Sequence, residues 1–131
     1  MNNYFNKPGF IFLLSILFFV SCKKDNGNSN NLSRNIKYEI TGNFTGKLTI
    51  VYNDNVTGNT VLENVSLPWT KEITYPGNVV GIGIGAQAST TGSAGQTATM
   101  KIYSAGNIVK MSSSTAGSLG ELTLSAIAFT F

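Results

Sequence analysis

The side chains that ordinarily do chemistry are sparse in this chain. Among 131 residues there is no His and a single Cys, Cys22. Neither a His/Cys zinc site nor a nucleophile activated by His can therefore be assembled from it. The carboxylates are Asp25, Glu39, Asp54, Glu63, Glu72 and Glu121, and no two share a local motif of the kind that paired acid–base work uses. Glu39 and Glu72 fall among polar strand positions near Lys residues, as solvent-facing charges do. Asn53-Asp54-Asn55 offers oxygen ligands, but one carboxylate without an acidic neighbour is a poor site for a hard cation, and Asx-turn bonding accounts for the triplet better. No catalytic residue, no metal and no cofactor is expected.

Two further patterns invite a functional reading. Gly81-Ile82-Gly83-Ile84-Gly85-Ala86 matches the dinucleotide fingerprint G-x-G-x-x-G/A letter for letter. That motif works only where a strand turns into a helix whose N-terminus holds pyrophosphate. Here it lies inside a strand, and a Ser/Thr/Gly stretch follows it. Read as a strand, Gly81, Gly83 and Gly85 leave one face as bare backbone opposite Val80, Ile82 and Ile84. Such a strip is either covered by a group of the same chain that needs close approach, or it is an interaction surface to which a partner strand could add. Trp69, with Tyr38, Tyr52, Tyr75, Tyr103 and Phe44, has the composition of a sugar-stacking platform. In a small β domain the same rings more often build the core, and Trp69 is expected to enter it where two sheets meet.

The elements around these residues set the compartment first. Lys7 precedes an apolar run from Phe10 to Val20 broken only by Ser15. As a helix it would span roughly 17 Å, well short of the ~30 Å hydrocarbon core, so it reads as the h-region of a signal peptide. Phe19-Val20-Ser21-Cys22 follows directly and resembles the lipobox of bacterial lipoproteins. That resemblance implies cleavage before Cys22 and acylation of its sulfur, with palmitate among the acyl groups. The mature chain then has 131 − 21 = 110 residues. Its formal side-chain charge is 8 − 6 = +2, because Lys7 is lost. No thiol remains for a disulfide. Lys23 to Asn35 contains one apolar residue, Leu32, too little to offset the entropy of ordering. It reads as a disordered tether reaching roughly 20 Å from the lipid. The organisation is a signal peptide over 1–21, a lipidated Cys and tether over 22–35, and one domain over 36–131.

That domain reads as strands throughout. Ile36, Tyr38 and Ile40 alternate with polar residues, as do Leu48, Ile50 and Tyr52. Further strands are expected over 60–65, 70–75, 79–88, 97–103, 108–111 and 121–130. Turn signals such as Gly42-Asn43, Gly58-Asn59, Pro76-Gly77 and Ala105-Gly106-Asn107 separate them. In the last strand Leu122, Leu124, Ala126 and Ala128 are expected on one face. Eight short strands without a helical period predict an all-β, immunoglobulin-like sandwich of seven or eight antiparallel strands. Phe129 and terminal Phe131 alternate like the closing strand of an outer-membrane barrel, but most strands are too short for a barrel that spans the bilayer. Ser89–Gln96 and Ser112–Gly120, small and uncharged, read as solvated connections rather than mobile binding loops. Nine Lys and Arg against six acids, scattered along the chain, exclude a nucleic-acid footprint.

Tyr38-Glu39-Ile40-Thr41-Gly42, Leu48-Thr49-Ile50-Val51-Tyr52, Val65-Ser66-Leu67-Pro68-Trp69 and the run from Lys101 to Val109 together resemble the extracytoplasmic domain of the mycobacterial MmpS membrane proteins. The likeness covers roughly Ile36 to Ile127, and Leu-Pro-Trp before a strand is its most specific element. It implies a small Ig-like sandwich and an accessory role beside exporters of lipids or siderophores. The chain differs in having a lipobox where that family has a transmembrane helix, and in lacking paired cysteines. Its Ser-Cys-Lys-Lys-Asp start and Asn/Lys-rich tether look like lipoproteins of the Bacteroidetes group. The expectation is a non-enzymatic protein held by its N-terminal lipid in the cell envelope, on the outer membrane. It would bind a protein partner or an apolar ligand; a carbohydrate-binding surface module is the alternative.

Overall fold

The computed structural model describes residues 33–131. The segments expected as signal peptide and tether, with Cys22, lie outside the described residues as far as residue 32. The domain is all-β. Its eight strands are β1 (Asn35–Gly42), β2 (Leu48–Asn53), β3 (Asn59–Val65), β4 (Trp69–Thr74), β5 (Gly81–Ala88), β6 (Thr97–Ser104), β7 (Asn107–Thr115) and β8 (Thr123–Thr130). They form two antiparallel four-stranded sheets, ordered β4-β1-β6-β7 (sheet A) and β3-β2-β5-β8 (sheet B). Only β2–β3 and β6–β7 are sequential hairpins; every other connection crosses between sheets. The layered architecture is that of immunoglobulin-like domains. The strand order is its own, since immunoglobulin constant domains pair ABED against CFG.

Alternation is cleanest where a strand has neighbours on both sides. Ile36, Tyr38 and Ile40 of β1, Leu48, Ile50 and Tyr52 of β2, Ile82, Ile84 and Ala86 of β5, and Ala98, Met100 and Ile102 of β6 are all buried. These are the four central strands, and their period-2 patterns point one face of each into the space between the sheets. The four edge strands depart from regular pairing in ways that protect an exposed ladder. β3 carries an extra residue opposite Leu48–Ile50, with Asn64 at φ 56°. β7 carries one opposite Ile102–Tyr103, and β8 one opposite Ile84–Ala86. β4 pairs regularly, but Lys71 stands on its inner side between Trp69 and Ile73 and remains exposed. An inward charge on an edge strand opposes pairing with another strand there.

The bulge in β8 corrects one sequence expectation. Leu122 and Leu124 are buried as predicted, but the extra residue reverses the phase, so Phe129 is buried while Ala126 and Ala128 face solvent. Three boundaries also move. Ser112–Thr115 belong to β7, paired with Thr97–Met100, so the predicted connection shortens to Ala116–Leu122. β5 begins at Gly81 and leaves Val80 exposed. Residues 33–35, read as tether, are part of the packed end: Asn35 opens β1. Arg34 donates to the carbonyls of Pro76 and Val79 at 2.8 Å each, and its guanidinium lies 4.5 Å from the centre of the Phe131 ring.

A polar relay crosses the core. The Tyr75 hydroxyl donates to the Asn53 carbonyl at the end of β2, and the Tyr38 hydroxyl of β1 lies 2.8 Å from that of Tyr75. With its proton committed to Asn53, Tyr75 accepts from Tyr38. Burial pushes both phenols well above their ordinary range. The relay ties sheet A to sheet B and leaves neither buried oxygen unpaired.

Candidate functional site

The two outer faces of the sandwich differ in chemistry. On sheet A, antiparallel register sets Glu39 opposite Lys101, and Lys37 opposite Tyr103. Glu39 has three partners. Lys37 Nζ reaches its Oε2 at 3.0 Å, the Tyr103 hydroxyl donates to its Oε1 at 2.7 Å, and Lys101 Nζ lies 3.6 Å away. The Tyr103 hydrogen bond, then Lys37, hold the Glu39 carboxyl below its ordinary range, and the same contact raises Lys37. Lys37 also sits 4.1 Å above the Tyr103 ring. The charges of this network are used on one another.

Glu63 of β3, exposed beside Val61, is the one ionisable side chain that the strands of sheet B turn outward, and the outer face they form is low. Gly81, Gly83 and Gly85 lie on it, opposite buried Ile82 and Ile84, as alternation predicts. β5 is paired on both sides, with β2 through Tyr52↔Ile84 and with β8 through Gly83↔Ala128. Its main chain therefore has no free edge, and strand addition at the glycine strip, one of the sequence readings, is excluded by that position. The glycines instead form a floor, and Ala126 and Ala128 extend it onto β8. Val51, 40% exposed, stands above it from β2, and Val61, 56% exposed, faces Val51 from β3. Two adjoining hollows of about 310 and 290 Å³ run along this step. Their lining includes Val51, Gly85 and Ala126 in both and contains no charged residue.

Asn53 fixes one end of the floor. The β2–β5 ladder ends at Tyr52, and the Asn53 side chain takes over where it stops. Its Oδ1 accepts the Gly83 N–H at 2.5 Å, while its Nδ2 donates to Asn59 Oδ1 at 2.6 Å. A Cβ on Gly83 would stand 3.2 Å from the Ile127 carbonyl oxygen, and one on Gly85 would stand 3.3 Å from the Ala126 Cβ. At Gly81 the nearest atom would be 3.5 Å away, an ordinary contact. The strip is thus tight at Gly83 and Gly85 and open at Gly81.

The remaining sequence candidates have structural places. Tyr38, Tyr52, Tyr75 and Phe44 are buried. Trp69 is half-buried against Tyr52, ring centres 5.7 Å apart, and Tyr103 belongs to the sheet A network. The Asn53-Asp54-Asn55 triplet forms the expected Asx turn: Asp54 Oδ1 accepts the N–H groups of Val56 and Thr57 at 2.6 and 3.0 Å. Among the described residues no three His, Cys, Asp or Glu side chains come together as metal ligands would.

The two Ser/Thr/Gly connections pack on each other instead of standing free. Gly92 N–H donates to the Gly120 carbonyl at 2.9 Å and Ala116 N–H to that of Gln96 at 2.7 Å. The Phe44 ring lies so close to Gly46 and Gly92 that a Cβ on either would stand 2.6 Å from it.

Sequence reasoning found the glycine floor but missed Ala126 and Ala128, because the β8 bulge that turns them outward leaves no local signal. Comparison with known protein-family models and with curated proteins finds no match for this chain.

Proposed function

We propose that this is a non-enzymatic, lipid-anchored protein of the cell envelope whose domain holds a protein partner on the outer face of sheet B. The anchor rests on the apolar run Phe10–Val20 followed directly by Ser21-Cys22. The docking face rests on one observation: a floor of glycine and alanine beside exposed Val51, lined by no charged residue and bordered by Val61 and Glu63 of β3, on a molecule whose opposite face carries a network of charges. Glycines in a strand lose backbone entropy on folding with no side-chain packing to offset it, so the floor is best accounted for by what it admits. The hollows are too shallow to enclose a small molecule, whose sites usually bury 70% or more of it. A flat, apolar protein surface suits them better. Four strands about 4.8 Å apart and about 26 Å long give a footprint of about 500 Å², below the ~800 Å² per side of a standard interface. The partner is therefore held weakly, and confinement of both proteins to one envelope supplies the remainder. An accessory role beside an exporter, which the MmpS resemblance implies, fits such a contact.

The test places a photo-crosslinking amino acid at Ala126 in the full-length protein within its own cells. A discrete protein adduct is expected, lost on adding Val51→Glu and absent when the crosslinker stands at Thr99 on the other sheet. No adduct at Ala126, or the same adduct from both faces, would overturn the assignment.

A further inference from the structure

The loops at one end of the sandwich carry an arrangement that the docking face does not use. β1 starts there, β2, β4, β6 and β8 finish there, and residue 33, where the described chain begins, lies at the same end. Two valines are thrust outward from separate loops of this end. Val56, in the β2–β3 turn, is 84% exposed, and Val80, just before β5, is 74% exposed.

Backbone bonds fix both loops to one platform. The Asn55 side chain donates to the Thr74 carbonyl at 3.0 Å, the Phe131 N–H to the Val80 carbonyl at 3.0 Å, and Tyr75 N–H to the Arg34 carbonyl at 2.9 Å. Arg34, bonded to Pro76 and Val79, sets a positive charge on the Val80 loop. The one carboxylate in the turn, Asp54, is folded back onto Val56 N–H, Thr57 N–H and the Thr60 hydroxyl. The end therefore presents two apolar tips, one beside the Arg34 cation and one beside the Asp54 carboxylate, whose oxygens are bonded within the turn.

We infer that this end rests on the lipid surface, with Val56 and Val80 inserted among the headgroups and Arg34 beside the phosphates. The inference rests on the lipid-anchor reading. Cys22 and residue 33 are eleven residues apart, at most about 40 Å of extended chain, so the chain enters the domain at this end within that distance of the acyl chains. Two valines would bind a membrane feebly from solution. Tethering makes the contact intramolecular and raises its effective concentration, and apolar side chains beside a basic one suit the interface.

The test uses the full protein extracted from its membranes and returned to phospholipid vesicles containing anionic lipid. With the Cys22 sulfur acylated, Val56→Cys, Val80→Cys or Leu119→Cys each adds one free thiol for an environment-sensitive fluorophore. Leu119, 80% exposed, sits among the loops at the far end, about 26 Å away along the strands. Labels at 56 and 80 are expected to shift blue and to lose at least half their emission to a lipid-borne quencher, while the label at 119 keeps its own. Adding Val80→Asp should reduce quenching at 56 without changing the melting temperature. Equal quenching at both ends, or none at 56 and 80, with Cys22 lipidated by intact mass, overturns the docking alone. An unmodified Cys22 overturns the anchor and the docking together.

Discussion

Single side chains here mostly organise turns and close gaps between elements. Asp54 takes the Thr57, Val56 and Thr60 donors, in falling order of effect, and these hold its carboxyl below the ordinary range. A group with a lowered folded pKa contributes stability above its unfolded value and loses it as pH falls through the folded one. Glu39 is lowered too and has the same sign. The urea midpoint should therefore hold between pH 7 and 5 and fall as the pH is taken below about 4. Asp54→Asn should show a smaller fall than the parent. An acid loss of identical size in the variant would remove Asp54 from this account. Ala105, at φ 50° beside Gly106 at φ 79°, shows a different residue-scale feature: both centres of the β6–β7 turn lie in the left-handed region, as a tight hairpin with right-handed twist needs.

At the scale of elements, central strands supply the core and edge strands carry the irregularities. Trp69 opens edge strand β4 opposite Ile40 and packs on Tyr52 across the sandwich. Its burial is partial, because no strand lies beyond β4 to cover the ring. Trp69→Ala should thus cost about 2 kcal/mol, less than the ~3–5 kcal/mol of a fully enclosed Trp. In a domain of this size that lowers the melting temperature by roughly 10 °C, read by circular dichroism. A melting temperature unchanged within a degree would mean that Tyr52 and Ile40 do not depend on the ring.

For the whole molecule, the proposed anchor and the fold are expected to be separable. Among the described residues the buried core runs from Ile36 to Phe129, all of it beyond Cys22 and the residues that follow it. Cys22→Ser should leave the melting transition where it is and shift the protein from the membrane pellet to the soluble fraction. An uncleaved precursor that still pellets would make the apolar run itself the anchor. A cleaved variant that pellets would show that the domain's own surface is sufficient.

The eight strands, their order along the chain and the inward faces of β1, β2 and β5 were legible in the sequence. Their alternation is imposed by the pleat at each residue, independently of any neighbour. The Asx turn at Asp54 and the glycine hairpin at Ala105-Gly106 were legible for the same reason, since their bonds close within a few residues. Tertiary structure alone decided which strands became edges, and with that the position of the glycine strip. β5 has period-2 burial whether it sits inside a sheet or beside solvent, but only pairing with β2 and β8 turned Gly83 and Gly85 from an edge into a floor. It also decided the β8 bulge, which sends Ala126 and Ala128 outward, because an extra residue is accommodated by the opposing strand and not by its own sequence. Bonding that closes locally is written locally; the surface that this protein presents is assembled from residues more than seventy positions apart.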